Sequence, residues 1–350
     1  MKTSDRTRMT HAGVSRRLLL GAMSALPFVP GAWAQAAGVR LLRLNCFGIR
    51  VSDPEASVKF YQGLFGMPVQ ARDADRVCLR VGAGPQFMSV RATGSNETAA
   101  ITHIGYAVAD FDADRVQAAL VGVGFARVAA PPETDAGSAH RRETWIRQRG
   151  GAAELYFADE HGLIVQLSHA DYCGGSGSNG ERCARPEPAP EGRIRLDDLN
   201  HFTVFGSDTA GANRFYQETF GLTVQAYQGP QSPVTGIGDG RQFVMYAGGG
   251  GRGGAAAGAS IHHGSFNMRD FDVERVLATL TDYGLAARGD GQTQTGPLMH
   301  YVSLRMPPRG GAEGGTPELY FTDPDGILLQ LQDVSYCGGG GYLGNECLIG

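Results

Sequence analysis

Short apolar stretches, separated by turn residues, alternate with longer amphipathic stretches along this chain. In the first block, Leu44–Val51 predicts a strand and Asp53–Leu64 predicts a helix, with Asp53 as its N-cap and Pro54 at its first position. Three short strands follow at about 68–72, 76–81 and 86–91. The block therefore predicts a β-α-β-β-β unit.

The next block has the same order of elements. A strand begins at Ile101, a helix covers Ala113–Gly122, and a tight turn at 159–162 joins the last two strands. The other strands are predicted near Arg127 and at 143–149, 154–157 and 163–167. A unit of this size leaves one apolar sheet face uncovered, so two units are expected to pair into a curved sheet of about eight strands with helices outside.

The whole pattern then occurs a second time, about 160 residues further on. Three pairs of motifs mark the repeat: LNCF at 44–47 with LNHF at 199–202, DFD at 110–112 and 270–272, and ELYF at 154–157 and 318–321. A repeat of this length is too long for a solenoid unit, so it indicates two duplicated domains.

The predicted fold class is α+β, with four βαβββ units paired into two domains that each have a cupped mixed sheet. The N-terminal domain is predicted at 41–183 and the C-terminal domain at 196–350. The linker at 184–195 is rich in proline and predicts a stiff extended spacer.

Residues 1–34 have the features of an export signal. Basic residues including Arg16 and Arg17 precede an apolar run that begins at Leu18, and a small-x-small cleavage site lies at Ala32–Ala34. The Arg pair favours a twin-arginine signal over an ordinary secretory signal, and proline breaks make the run a poor membrane span. We therefore expect a protein of the periplasm, or a secreted one, with no membrane association after signal removal.

The charge of the chain limits its partners. The net charge is −4, and the leader is positive, so the mature chain is more acidic still and keeps Lys59 as its only lysine. Nucleic-acid binding requires a basic face and is not expected. The expected partner is a small-molecule substrate, and the sequence leaves a homo-oligomer open.

Four of the six cysteines lie in a repeated Gly-rich tail. Cys173 and Cys183 are separated by nine residues, as are Cys337 and Cys347. In an oxidising compartment this spacing favours one disulfide per tail, worth roughly 2–3 kcal/mol for so small a loop. The alternative is a thiolate metal site, but neither tail contains a histidine and the spacing matches no zinc pattern.

Two further motifs, together with the paired units, carry a resemblance to a known family. Each copy has an F-Y-x-x-x-F-G helix end, at 60–66 and 215–221, and a Y-F-x-D-x-x-G-x-x-x-Q hairpin, at 156–166 and 320–330. The chain resembles the vicinal oxygen chelate superfamily over nearly all of 41–170 and 196–334. This superfamily includes glyoxalase I, bleomycin-resistance proteins and type I extradiol dioxygenases, and the four-unit layout looks most like the last of these.

The resemblance implies a divalent metal site in the C-terminal domain. Its ligands, carried over by position, are His201, His263 and Gln330, with Tyr320 as an acid/base residue and His300 as a second-shell histidine. Fe²⁺ or Mn²⁺ ranks first as the metal, and Zn²⁺ and Ni²⁺ remain open. Such a site leaves coordination positions for a substrate with adjacent oxygens.

Gln330 departs from the family pattern, because the extradiol dioxygenases have a glutamate there. An amide brings no negative charge, so it is expected to bind the metal less tightly and to leave it more electrophilic. The alternative is a hydrogen-bonded polar cluster in a metal-free cavity, as in bleomycin-resistance-like binders.

The N-terminal copy has Cys46, His103 and Gln166 at the same three positions, so we interpret it as a degenerate structural partner. His262 is expected to point to the opposite sheet face from His263, because side chains alternate along a strand. The resulting prediction is an exported metal-dependent enzyme, extradiol-dioxygenase-like, for a small substrate with vicinal oxygens. A glyoxalase-like lyase or isomerase and a non-catalytic binding protein are the alternatives.

Overall fold

A computed structural model describes residues 38–130, 140–149, 151–175, 183, 185–230, 232–248 and 258–348. The predicted export signal at 1–34 lies outside these residues. Within the described part of the chain, no helix has the length and apolar character needed to cross a membrane.

The N-terminal domain contains nine strands and two helices in its described residues. They are β1 (Leu41–Val51), α1 (Pro54–Phe65), β2 (Val69–Arg72), β3 (Val77–Arg80), β4 (Phe87–Ala92), β5 (Ala100–Val108), α2 (Ala113–Gly122), β6 (Ala126–Arg127), β7 (Glu143–Arg149), β8 (Ala152–Ala158) and β9 (Ile164–His169). The prediction of Asp53 as the N-cap of α1 is confirmed, since its carboxylate accepts hydrogen bonds from the backbone N–H groups of Glu55 and Ala56.

The C-terminal domain repeats this order. Its elements are β10 (Asp198–Gly206), α3 (Thr209–Phe220), β11 (Val224–Tyr227), β12 (Pro233–Gly236), β13 (Phe243–Gly248), β14 (Ser260–Met268), α4 (Val273–Tyr283), β15 (Ala286–Ala287), β16 (Met299–Arg305), β17 (Thr316–Thr322) and β18 (Leu328–Asp333). A short 3-10 helix at Pro307–Arg309 lies between β16 and β17.

The two sheets have the same strand order. The first runs β2-β3-β4-β1-β5-β9-β8-β7-β6 and the second runs β11-β12-β13-β10-β14-β18-β17-β16-β15. In each sheet the two central strands are antiparallel to one another, and each is parallel to its outer neighbour. The predicted α+β fold with two cupped mixed sheets is confirmed. Each sheet has nine strands rather than about eight, because its second unit has an additional two-residue edge strand, which the sequence predicted near Arg127 in the N-terminal domain.

Both predicted tail disulfides are present in the structure, as Cys173–Cys183 and Cys337–Cys347. The second tail lies against the C-terminal sheet, where the side-chain amide of Gln225 donates to the carbonyl oxygen of Cys337 at 2.8 Å. The tails therefore cover strands of the domain to which they belong.

Aromatic residues of the two domains form one shared core. Phe47 of β1 packs edge-on against Phe202 of β10, with ring centroids 5.4 Å apart, and Phe157 of β8 stacks on Phe220 of α3 at 5.7 Å. Contacts of this kind contribute about 0.5–1.5 kcal/mol beyond the area they bury. The domains therefore pack directly against each other through their sheets and helix ends.

Two reciprocal hydrogen bonds close this interface. The hydroxyl of Tyr61 in α1 donates to Asp323 in the β17–β18 turn at 3.0 Å, and the hydroxyl of Tyr216 in α3 donates to Asp159 in the β8–β9 turn at 3.2 Å. These four residues belong to the two family motifs of the sequence. Each helix motif therefore holds the hairpin motif of the other domain.

The buried carboxyl group of Asp323 makes the stability of this interface depend on pH. Burial raises the pKa of Asp323 to about 6, whereas an aspartate in an unfolded chain has a pKa of about 3.9. Because the folded state keeps the proton to higher pH, this group stabilises the fold below about pH 4, and that contribution is lost as the pH rises to about 6.

As the pH rises from about 4 to about 6, the free energy of unfolding of the unsubstituted protein should fall. We expect this fall to be smaller in the Asp323→Asn variant, by up to about 3 kcal/mol. The measurement is the free energy of unfolding by denaturant at several pH values. Asp282→Asn, on the exposed face of α4, is the matched control. Equal pH slopes for the Asp323→Asn variant and the unsubstituted protein would contradict the prediction.

Candidate metal centre in the C-terminal domain

Three central strands bring the predicted ligand residues together. His201 lies on β10, His263 on the antiparallel β14, and Gln330 on β18, which runs parallel to β14. The Nε2 atoms of His201 and His263 are 3.3 Å apart, and both side chains are buried. The structure therefore places the two imidazoles head to head, with the amide on the adjacent strand.

A polar clamp fixes the ring of His201. Asn200 donates from Nδ2 to the backbone carbonyl of Tyr336 at 3.0 Å, which turns its Oδ1 toward His201. The Nδ1–H of His201 donates to this Oδ1 at 2.7 Å, and the ring stacks on Phe243 with centroids 4.3 Å apart. With the proton on Nδ1, the Nε2 atom keeps its lone pair for a metal or a proton donor.

His262 is the partner of His263, which corrects the sequence prediction. The pairing of β10 with β14 shifts register between Thr203–His263 and Val204–Ile261, so His262 is the extra residue of a β-bulge. Its ring lines the same cavity as His263, and the two Nδ1 atoms are 2.8 Å apart. One proton lies between these nitrogens, and when His263 donates it, the His263 Nε2 lone pair faces that of His201.

Both facing histidines are neutral at neutral pH. Burial lowers the pKa of His201 to about 3. The pKa of His263 is held well below its ordinary value, first by burial and then by the neighbouring His201 and His262. Neutral imidazole is the form that binds a metal.

The residues present fit a divalent cation. A 3.3 Å separation of two Nε2 atoms corresponds to an angle of about 104° at an ion with metal–nitrogen bonds of about 2.1 Å. Gln330 is buried, and among the described residues neither its Oε1 nor its Nε2 has a partner at hydrogen-bond geometry. In the described residues no three His, Cys, Asp or Glu side chains form a metal-binding group, so the third protein ligand would have to be this amide oxygen.

Tyr320 lies directly beside these residues. It pairs with Gln330 across β17 and β18, and its ring centroid is 5.3 Å from that of His263. Its hydroxyl donates to Glu318 at 3.3 Å. Burial, and then the charge of Glu318, hold the pKa of Tyr320 well above its ordinary value, so the hydroxyl stays protonated and can donate.

A buried ion pair supports Tyr320. Glu318 accepts from Nε of Arg305 at 2.9 Å and from the hydroxyl of Tyr336 at 3.3 Å. Arg305 also donates to the backbone carbonyl oxygens of Gly310 and Gly339. This one guanidinium therefore connects strand β16, the loop before β17 and the disulfide tail beneath the candidate site.

His300 is not part of this group. It faces α4, where its Nε2 lies 2.8 Å from the hydroxyl oxygen of Thr281. Strand alternation turns the next residue, Tyr301, to the cavity side, where its ring stacks on Tyr320 with centroids 5.0 Å apart. The structure therefore does not bring His300 together with the other predicted site residues, and it places its neighbour Tyr301 beside Tyr320 instead.

The candidate ligands lie at a cavity of about 550 Å³, a size suited to a small molecule. Its wall includes His201, His263, Tyr301, Arg309, Tyr320 and Gln330.

The N-terminal copy lacks this arrangement. Cys46 takes the place of His201, and its thiol donates to Oε1 of Gln166 at 3.5 Å. Burial, followed by the charge of Glu154, holds the pKa of Cys46 well above its usual range, so it remains a thiol. Asn45 still donates to the carbonyl of Tyr172 at 2.8 Å, but its Oδ1 has no partner among the described residues, since the adjacent position is Cys46 and not a histidine.

Comparisons with known proteins identify the family of the chain. Residues 43–166 and 198–331 each match the family described as the Glyoxalase/Bleomycin resistance protein/Dioxygenase superfamily. The chain therefore belongs to this superfamily, with one family unit in each domain. No curated protein matches the chain.

Solved structures of similar fold include two kinds of enzyme. A variant of homoprotocatechuate 2,3-dioxygenase from Brevibacterium fuscum has a TM-score of 0.55 at 18% identity, over 85% of this chain and 73% of that chain. The Mn(II)-bound glyoxalase from Novosphingobium aromaticivorans has a TM-score of 0.56 at 14% identity, over 84% and 82%. A catechol 2,3-dioxygenase has a TM-score of 0.55 at 15% identity, over 86% and 88%. At these identities the likeness establishes the fold.

Proposed function

We propose that this chain is an exported, metal-dependent enzyme, similar to the extradiol dioxygenases, that acts on a small substrate with two adjacent oxygens. The observation that carries the proposal is the convergence of two neutral imidazole Nε2 atoms, 3.3 Å apart, beside a protonated Tyr320 in one cavity. When both rings carry their proton on Nδ1, two buried lone pairs face each other and repel, and a cation between them removes the repulsion.

The similar structures and the disulfides support the two parts of this proposal. The similar structures include two dioxygenases and a Mn(II)-bound glyoxalase, which makes Fe²⁺ or Mn²⁺ the first candidate. The two tail disulfides are stable in an oxidising compartment, which agrees with export through the predicted signal.

The residues of the chain have separate tasks in this proposal. His201, His263 and Gln330 hold the ion, which would polarise two adjacent substrate oxygens and leave positions open for other ligands. Tyr320 keeps its proton at neutral pH and donates a hydrogen bond, or the proton itself, to a substrate oxygen. Tyr301 stacks on Tyr320, and the guanidinium of Arg288 lies 4.1 Å over its ring, so these contacts hold the two tyrosines at the cavity wall.

Gln330 favours a second candidate, a glyoxalase-like lyase or isomerase. A neutral amide leaves the site one unit more positive than a glutamate would, and this favours Lewis-acid chemistry over electron transfer to dioxygen. A non-catalytic binding protein of the bleomycin-resistance type is the third candidate, since the cavity could hold a ligand without any metal.

The deciding experiment is metal analysis of the protein folded and exported in its native host, followed by oxygen uptake with simple catechols. About one equivalent of Fe or Mn with oxygen uptake supports the dioxygenase. Bound metal without oxygen uptake supports the glyoxalase-like candidate. A metal content far below one equivalent, unchanged by reconstitution, supports the binding protein.

Gln330→Glu is expected to bind Mn²⁺ or Fe²⁺ at least about tenfold more tightly than the unsubstituted protein, because a carboxylate offsets one of the two charges of the ion. The measurement is a calorimetric titration of metal-free protein. Gln166→Glu, the same change in the N-terminal copy, is the matched control and should leave the metal affinity unchanged. An unaltered affinity for Gln330→Glu would remove Gln330 from the ligand set.

A further inference from the structure

A β-bulge precedes the inward-facing histidine of the fifth strand position in both domains. In the C-terminal domain the bulge residue is His262, next to His263 on β14. In the N-terminal domain it is Thr102, next to His103 on β5, because the β1–β5 register shifts at this point. A bulge can direct a side chain that regular alternation would turn to the other face of the sheet. Both copies of the domain therefore place a polar side chain beside this histidine.

Both bulge residues contact the same atom of the histidine. The Oγ1 of Thr102 lies 3.0 Å from Nδ1 of His103, and the Nδ1 of His262 lies 2.8 Å from Nδ1 of His263. A hydroxyl group and an imidazole nitrogen differ in shape, but each can accept or donate one hydrogen bond. The hydrogen bond to Nδ1 is therefore the feature that the two bulges share.

Aromatic packing holds His262 in its position. The His262 ring stacks on Phe205 of β10, with ring centroids 4.4 Å apart, and both side chains line the metal cavity. This packing limits the positions that the ring can take and keeps its Nδ1 directed at His263.

The proton of His263 can lie on either ring nitrogen, and the two arrangements have opposite effects on the site. With the proton on Nε2, His263 donates to the Nε2 of His201, 3.3 Å away, and the two rings close the space between them. With the proton on Nδ1, His263 donates to His262 and its Nε2 lone pair is open to a cation. His201 and His263 are neutral in both arrangements, so only the position of a proton differs.

The open arrangement requires an acceptor at Nδ1 of each histidine, because a buried N–H group without a partner destabilises the state that contains it. Asn200 meets this requirement for His201, since its Oδ1 accepts from Nδ1 at 2.7 Å. On His263 the corresponding nitrogen faces His262. If apolar atoms replaced this contact, the closed arrangement would be favoured.

We propose that His262 is a positioning residue, which opens the metal site by accepting the Nδ1 proton of His263. This inference rests on the function proposed above, because it concerns the same site. Asn200 and His262 then have the same task, one for each ligand histidine. The bulge in β14 is the part of the fold that supplies the second acceptor.

Two substitutions of similar size separate the hydrogen bond of His262 from its packing. In His262→Asn the amide oxygen takes the place of Nδ1, since both atoms are bonded to Cγ. In His262→Leu the shape is similar and no acceptor remains. Thr102→Val, which removes the hydroxyl group of the N-terminal bulge, is the matched control. The measurement is calorimetric titration of metal-free protein with Mn²⁺.

We expect His262→Leu to bind Mn²⁺ about 10–100-fold more weakly than the unsubstituted protein, as loss of an outer hydrogen-bond partner does in known metal sites. His262→Asn should retain most of the affinity, and Thr102→Val should leave it unchanged. A second measurement needs no metal. NMR of the imidazole nitrogens should place the proton of His263 on Nε2 in metal-free His262→Leu, where Nδ1 has lost its acceptor.

Three results would overturn the proposal: an unchanged Mn²⁺ affinity in His262→Leu, an equal loss in His262→Asn, or a proton on Nδ1 of His263 in metal-free His262→Leu. Each of them leaves the proposed function intact if the unsubstituted protein binds Mn²⁺. Absence of Mn²⁺ binding by the unsubstituted protein overturns the proposed function and this inference together, so the two failures are distinguishable. A thermal unfolding midpoint close to that of the unsubstituted protein shows that His262→Leu is folded. If it is not, His262→Ala takes its place with the same criteria.

Discussion

His201→Ala is expected to lower the affinity of the protein for Mn²⁺ or Fe²⁺ by more than about 100-fold, and His263→Ala should do the same. Each histidine supplies one of the two converging Nε2 atoms, and a site left with one imidazole and an amide cannot hold the ion. Loss of an outer hydrogen-bond partner alone reduces metal affinity about 10–100-fold in known sites, so loss of a direct ligand should exceed that. The measurement is calorimetric titration of metal-free protein with each ion.

The N-terminal copy provides matched controls for these two substitutions. Cys46→Ser and His103→Ala change the corresponding positions and should leave most of the metal affinity intact. A fall of similar size in both domains would show that the metal site has been assigned to the wrong domain. If His201→Ala has the same metal affinity as the unsubstituted protein, the two histidines line a metal-free pocket.

The largest expected loss of stability is for Arg305→Ala, at about 3–5 kcal/mol. Arg305 is fully buried, and its removal leaves the carboxylate of Glu318 buried with only tyrosine hydroxyl groups as partners. The substitution also breaks the bonds to the carbonyl oxygens of Gly310 and Gly339, so the loop before β17 and the disulfide tail lose their common anchor.

The free energy of unfolding in denaturant measures this loss. Arg269→Ala is the matched control, because Arg269 forms an ion pair of similar length, 2.9 Å, with Asp197 at the exposed surface. Exposed pairs contribute about 0–1 kcal/mol, so the control should lose little stability. Arg305→Met combined with Glu318→Leu should recover much of the loss, because no unpaired charge remains buried. A loss below about 1 kcal/mol for Arg305→Ala would mean that water or a rearranged side chain compensates Glu318.

The fold was predictable because the sequence contains the same domain twice. The F-Y-x-x-x-F-G and hairpin motifs occur in both halves at matching places, and two imperfect copies reveal a pattern that a single copy would hide. The sequence did not show that each of these motifs forms a hydrogen bond to the other domain. Tyr61 bonds to Asp323 of the other domain and Tyr216 to Asp159, and contacts 262 and 57 residues apart leave no periodic signal in a single chain.

The sequence predicted which strands carry the candidate site residues, but not to which face of the sheet each side chain points. His201, His263 and Gln330 meet as expected, because each lies on a central strand of one sheet. The direction of His262 was predicted wrongly, since a one-residue bulge reverses the alternation of side chains and has no sequence signature of its own. His300 faces α4 while Tyr301 faces the cavity, because one residue of register exchanges the two faces of a strand.

The Oδ1 of Asn45 distinguishes the two domains. In the C-terminal domain the same atom accepts from a histidine ring, whereas in the described part of the N-terminal domain it has no hydrogen-bond partner. A buried acceptor without a partner destabilises a fold by about 1–3 kcal/mol. Asn45, Tyr172 and Phe87 keep the arrangement that surrounds the histidine in the other domain, although the N-terminal domain has Cys46 at that position. Cys46→His would therefore give the Oδ1 of Asn45 a ring nitrogen from which to accept a hydrogen bond.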